Sequence, residues 1–289
     1  MDESALHDKF ATVAGLRLRY VEVGAGPALL LLHGGSLGSS ADVFRRNLPP
    51  LAALGFRAIA FDQPGFGQSE TPADHSNAYR RDSIMGLMDA LAISRASLIA
   101  HSQAGGPALQ VALKRPDRID RLVVLGTGSL LPLLEDSNAP DTSAAQARLD
   151  RRMSVREPSV DDTRKLLEAN LFHHDLITPE ELALRHANSI GPCFSAFCER
   201  QRWAQEHPKE PGGAPLYRRL LELRTPPLMI FGKQDRAKAF ERASLLKQLH
   251  PKLEVHIVDE CKHLVPWDAA DAFVRLTGEF LHRSEPRQN

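Results

Sequence analysis

Four short apolar runs without polar interruption constrain this chain more than any other feature of it. Ala28 to Leu32, Arg57 to Phe61, Ala96 to Ala100 and Leu122 to Leu125 show no alternation, which a strand with one wet face would display. Each therefore reads as a strand covered on both sides. Segments of helical periodicity lie between them: Ala41 to Leu54, Arg81 to Leu91, and Gly105 to Lys114, the last stopping at Arg115-Pro116. Strands and helices in this rhythm imply an α/β fold with a mostly parallel sheet covered by helices. Ahead of them, Phe10 to Val13 and Leu16 to Val23 flank Gly15 and predict a hairpin.

After Gly126 the rhythm stops, and from roughly Thr142 to Leu223 the pattern is helical with no convincing strand. Thr178-Pro179-Glu180-Glu181 is a helix start, with a capping hydroxyl, proline at the first helical position and acids in the first turn. Glu210-Pro211-Gly212-Gly213 breaks a helix. The sheet rhythm then resumes with strands Pro227 to Phe231 and Leu253 to Val258 and helices Phe240 to Leu249 and Ala269 to Leu281. Residues 1–126 and 225–289 thus form one core, and 127–224 an inserted helical cap.

The chain has 289 residues, enough for a substantial core, and carries 36 basic against 36 acidic side chains. That balance favours neither nucleic acid nor an anionic membrane surface as a partner, and Arg45-Arg46 and Arg151-Arg152 read as solvated helix faces. Cys193, Cys198 and Cys261 form an odd set without metal-ligand spacing, which suits a reducing compartment. Met1-Asp2-Glu3-Ser4 opens no signal peptide, and no run reaches the roughly 18 apolar residues of a membrane span. A cytoplasmic protein is expected.

The chemistry concentrates where strands end. In Leu98-Ile99-Ala100-His101-Ser102-Gln103-Ala104-Gly105-Gly106 an apolar strand runs into a serine and straight on into a helix of small residues. This is the context of a nucleophile elbow, whose strained turn needs small neighbours. Ala100, Ala104 and Gly105 meet that need, although alanine replaces both glycines of G-x-S-x-G. Alone, such a serine reads equally well as a helix cap. Leu31-Leu32-His33-Gly34-Gly35 follows another buried strand, and the backbone N–H groups of Gly35 and Gln103 become oxyanion donors. Asp235 lies just past one late strand and His263 just past the next. Loops beyond the carboxyl ends of parallel strands converge, so Ser102, Asp235 and His263 can form a triad in which a base activates the serine and an acid orients the base. Asp259 is the rival acid, set too close to its strand end. His33, His101, His173 and His174 read as structural, and no cluster has zinc spacing.

These segments resemble the α/β-hydrolase superfamily over nearly the whole chain. Phe61-Asp62-Gln63-Pro64-Gly65-Phe66-Gly67-Gln68-Ser69 looks like its D-x-P-G-x-G-x-S turn. Within it, the chain resembles the meta-cleavage product hydrolases, which cut a carbon–carbon bond in 2-hydroxy-6-oxo-dienoates from aromatic ring degradation. Arg185 with Asn188 is similar to that family's cap R-x-x-N pattern, Cys261-Lys262-His263 to its C-G-H, Trp267-Asp268 to its W-E, and Arg46-Asn47 to a pair after the oxyanion loop. The resemblance implies that Arg185, with Ser36 and Trp267, contacts substrate. His33-Gly34-Gly35-Ser36-Leu37-Gly38 departs from H-G-x-G-P-G, as do His101 from asparagine and Leu264 from tryptophan.

The expected activity is hydrolysis of a small, mostly apolar carbonyl compound by carbon–carbon cleavage. A carboxylesterase or lactonase would use the same residues; a ligand receptor, or a cofactor-independent oxygenase or perhydrolase, would use the same scaffold. Epoxide hydrolases and haloalkane dehalogenases carry aspartate where Ser102 stands. No cofactor or metal is implied, the expected partner is a small-molecule substrate, and self-association is left open.

Overall fold

A computed structural model describes residues 6–134, 150–207 and 215–283. Its frame is one eight-stranded sheet: β1 (Lys9–Val13), β2 (Leu16–Val23), β3 (Ala28–Leu32), β4 (Arg57–Phe61), β5 (Ala96–His101), β6 (Ile119–Leu125), β7 (Leu228–Gly232) and β8 (Glu254–Val258), in the order β1-β2-β4-β3-β5-β6-β7-β8. β1 and β2 pair antiparallel across a turn in which Ala14 and Gly15 both take positive φ. β2 runs antiparallel to β4, and every pairing from β4 to β8 is parallel.

The helices are α1 (Leu48–Ala53), α2 (Asn77–Ala90), α3 (Gly105–Lys114), α4 (Val160–Asn170), α5 (Pro179–Ala187), α6 (Pro192–Glu206), α7 (Ala239–Leu249), α8 (Val265–Asp268) and α9 (Ala270–Leu281). Side chains of α2, α3 and α7 pack on one face of the sheet, and those of α1, α8, α9 and part of the cap on the other. Successive residues of a strand point to opposite faces. Leu30 and Leu32 accordingly join the first core while Leu29 and Leu31 join the second, all at most 1% exposed. That explains why β3 tolerates no polar residue: burying each leucine contributes about 1.5–3 kcal/mol.

The chain departs from its sequence pattern in three places. Ala41 to Leu54 is not one helix; a 3-10 turn at Ala41–Phe44 precedes α1, because Pro49 and Pro50 confine the new helix start to Leu48. α2 begins at Asn77, where the Ser76 hydroxyl accepts the Tyr79 N–H in a polar segment without periodicity. α8 lies in an unassigned segment after His263.

Between β6 and β7 the described residues contain helices and turns and no strand. α4 opens with a capping box between Ser159 and Asp162, and α5 with the Thr178 hydroxyl accepting from Glu181 N–H and Pro179 at the first position. The breaker Glu210 to Gly213 lies outside the described residues. No described helix is long and apolar enough to cross a membrane.

Candidate active site

β5 delivers Ser102 at a φ of +56°, a left-handed conformation that costs a non-glycine residue about 1–3 kcal/mol and persists only where neighbours over-determine it. The neighbours are specific. Thr127 Oγ donates to the Ser102 carbonyl at 2.8 Å. A Cβ on Gly105 would collide with Thr127, and one on Gly34 would stand 3.1 Å from Ser102 Cβ. The elbow thus depends on three chains of backbone approaching within a side chain's width, and the Ser102 hydroxyl projects beyond the carboxyl end of the sheet.

β7 and β8 supply the rest. Gly232, at the end of β7, lies against the Cys261 and Lys262 carbonyls with no room for a Cβ, which brings the loops after the two strands together. His263 Nδ1 sits 3.0 and 3.2 Å from the two Asp235 carboxylate oxygens, and its Nε2 2.9 Å from Ser102 Oγ. The carboxylate only accepts, so Nδ1 carries the proton and Nε2 is left to receive one from the serine. Burial opposes ionisation of Asp235. The charge of His263, the hydrogen bond to it and the nearby Arg236 outweigh that and hold the carboxyl below its ordinary value. Asp259 instead accepts Lys233 Nζ and Gln234 Nε2, both at 2.6 Å, and these hydrogen bonds pull its pKa down to about 2. It has no contact with His263.

A cleft of about 380 Å3 opens over Ser102, lined by Gly34, Gly35, Ser36, Gln103, His263 and Arg185 among others. Gly35 and Gln103 therefore adjoin Ser102, with the Gln103 side chain lying over Gly35. Arg185 enters from α5. Its Nη2 donates to Ser36 Oγ at 2.9 Å, its Nε is buried without a partner, and no carboxylate pairs with it among the described residues. Burial pushes its guanidinium down to about 10. Asn188, one turn on, holds Ser40 Oγ and the Asp42 carboxylate.

Trp267 does not line this cleft. It is 6% exposed, gives its indole N–H to the Val43 carbonyl, lies under the Arg46 guanidinium, and lines an adjoining cavity of about 300 Å3 beyond Arg185. Its position in α8, turned toward the Ala41–Phe44 segment, directs it there. His33 is buried, with Nδ1–H on the Gly34 carbonyl and Nε2 accepting the Gln63 N–H, and burial pushes it down to about 3. Three further residues bear on the site: the sequence marks Asp268 by its resemblance to W-E and His101 as a structural histidine, and gives no signal for Asn170. Asn170 lines the cleft from the end of α4. The Asp268 carboxylate accepts N–H groups of Phe172 and His173 in the cap and of Lys262 beside His263. His101 bonds the His263 carbonyl.

A family model described as the alpha/beta hydrolase fold matches residues 27–270. The 2-hydroxy-6-oxononadienedioate/2-hydroxy-6-oxononatrienedioate hydrolase of Comamonas testosteroni is 30% identical, covering 94% of this chain and 96% of its own. The 2-hydroxymuconate semialdehyde hydrolase of Pseudomonas sp. (strain CF600) is 31% identical over 94% and 93%. The solved meta-cleavage product hydrolase of Pseudomonas fluorescens IP01 superposes with a TM-score of 0.76 at 28% identity, over 96% of this chain and 97% of that one. With a strained serine at the strand-to-helix turn and an acid-backed histidine against it, the chain belongs to the α/β-hydrolase fold family, as an enzyme of serine hydrolase type whose relatives are meta-cleavage product hydrolases.

Proposed function

We propose that this enzyme hydrolyses a carbon–carbon bond in a 2-hydroxy-6-oxo-dienoate, with Ser102 as nucleophile, His263 as base and Asp235 as the acid that orients it. One observation carries the substrate class. Arg185 lines the cleft over Ser102 with a partly buried guanidinium that, among the described residues, hydrogen-bonds only a serine hydroxyl. An uncompensated cation in such a place is costly unless function requires it, and a guanidinium grips a carboxylate through two parallel hydrogen bonds. The relatives' substrates, as named, differ in their tails and share a 2-hydroxy acid head.

In this reading Arg185, with Ser36 beside it, holds the substrate carboxylate. His263 Nε2 takes the Ser102 hydroxyl proton as Oγ adds to the 6-oxo carbon. The oxyanion that forms is received by the backbone N–H groups of Gly35 and Gln103. Collapse breaks the carbon–carbon bond, and the departing carbon keeps the electron pair as the enolate of a 2-oxo acid, provided the dienol has first ketonised; the enolate takes the proton held by His263, which restores the base. Water then releases the acyl group from Ser102 by the same base. Trp267 acts only from the adjoining cavity, on a substrate long enough to pass Arg185.

Substrate contrast tests the reading. In Arg185→Gln, kcat/KM for an anionic ring-fission dienoate should fall about 10–100-fold, the worth of a charge-assisted pair. A neutral aryl ester should lose less than about threefold, since it offers no carboxylate. Equal losses, or none for the dienoate, would put an esterase or lactonase ahead.

A further inference from the structure

His101 is the last residue of β5, immediately before Ser102, and its side chain makes one hydrogen bond, to a residue 162 positions away. Nε2 lies 2.9 Å from the backbone carbonyl of His263. A carbonyl can only accept, so Nε2 carries the proton and the neutral ring has a single possible tautomer. Nδ1 is buried without a partner, and the whole side chain is 3% exposed. An orphaned nitrogen in so dry a place is a cost that an apolar ring would avoid.

The segment around His263 is held from three sides. Lys262 N–H goes to the Asp268 carboxylate at 2.8 Å, and Leu264 N–H to the Asn170 carbonyl of the cap at 3.0 Å. His101 takes the carbonyl of His263 itself. The first two bonds tie the loop to α8 and to the cap; the third ties it to the strand that carries the nucleophile. Without that bond, nucleophile and base sit on separate loops whose relative motion stretches the 2.9 Å contact between Ser102 Oγ and His263 Nε2. With it, the two residues are joined in a closed ring of two hydrogen bonds and the single His101–Ser102 peptide link.

We infer that His101 is a positioning residue, a strut from the elbow to the catalytic loop that sets the approach of His263 to Ser102. The inference rests on His263 being the base, and not on which carbonyl compound is cut. A misplacement of about 1 Å can cost about 10²-fold in rate, so the effect belongs in kcat rather than in KM.

Side-chain geometry supplies the test. Glutamine places an N–H donor at nearly the reach of imidazole Nε2, whereas asparagine's amide overlaps Nδ1 and falls short. Phenylalanine fills the space with no donor. In His101→Asn and His101→Phe, hydrolysis of a short aryl ester and the rate of covalent labelling by a fluorophosphonate should both fall about 10–100-fold, with KM nearly unchanged. His101→Gln should restore both to within about threefold of the native rate. Circular dichroism and melting temperature establish that each variant is folded; if the Phe form is not, the Asn and Gln pair decides. A Gln variant no faster than Asn, native rates in all three, or losses confined to KM would overturn the strut. Labelling that follows this pattern in a protein that never turns over a dienoate supports the strut while removing the substrate reading.

Discussion

Asp235 and Asp259 each follow one of the last two strands, and the side chains around them give them different work. Asp235 is nearly closed off from solvent and shares both carboxylate oxygens with His263 Nδ1, while Asp259 is exposed and occupied by Lys233 and Gln234. A neutral amide at Asp235 would permit the wrong imidazole tautomer and leave the imidazolium without a counter-charge. Asp235→Asn should therefore lower kcat by about 10³–10⁴. Asp259→Asn breaks an exposed pair that solvent screens and should leave kcat within about twofold. Steady-state turnover of a short aryl ester on both variants checks this. Comparable losses would return Asp259 to the site.

The elbow shows how an element, rather than a residue, sets the conformation of Ser102. β5 and α3 meet at a left-handed serine only because Gly34 and Gly105 leave room for the flanking loops, and Thr127 uses that room to hold the Ser102 carbonyl. A methyl group at position 105 would displace Thr127 and loosen that bond. Gly105→Ala should lower the melting temperature, at a cost of about 1–3 kcal/mol, the usual range for overpacking, and lower kcat with it. Adding Thr127→Ser, which removes one of the colliding methyl contacts while keeping the hydroxyl, should recover part of both. Thermal unfolding and ester turnover on the single and double variants measure it; an Ala variant as stable and fast as the native chain would show that the elbow has slack.

Across the whole molecule, buried neutral histidines tie stability to pH. Burial pushes His33 and His101 down to about 3 and, less completely enclosed, His75 down to about 4, from an ordinary 6.5. Between pH 6.5 and those values the unfolded chain binds protons that the folded chain refuses. The stability these rings contribute is fully present above pH 6.5 and is lost as pH falls toward 3. Asp62 works the other way: burial raises it from 3.8 to about 6, so from pH 6 to 3.8 the folded chain takes up a proton first. Three groups oppose one, and the net slope is about 1.4 kcal/mol per pH unit for each excess proton. The melting temperature should fall steadily from pH 6.5 to 4.5, and less steeply in His101→Gln, which removes one of the three. A flat or rising profile over that range would contradict the assignment.

The sheet was legible because its parallel strands are buried on both faces, so residues such as Leu29 to Leu32 must all be apolar and the run stands out in the linear chain. Ser102, Asp235 and His263 stood out for a related reason: each follows such a run, and parallel strands deliver their carboxyl ends to one edge of the sheet. The break in Ala41 to Leu54 was written in Pro49-Pro50 and lost in an otherwise helical pattern. Other features depend on which side chains meet across the fold. Trp267 turns to Val43 and Arg46, the Arg185 guanidinium meets the Ser36 hydroxyl and no carboxylate among the described residues, and His101 reaches the carbonyl of His263. Local pattern encodes how much water a residue must lose, but only tertiary packing decides which partner replaces that water.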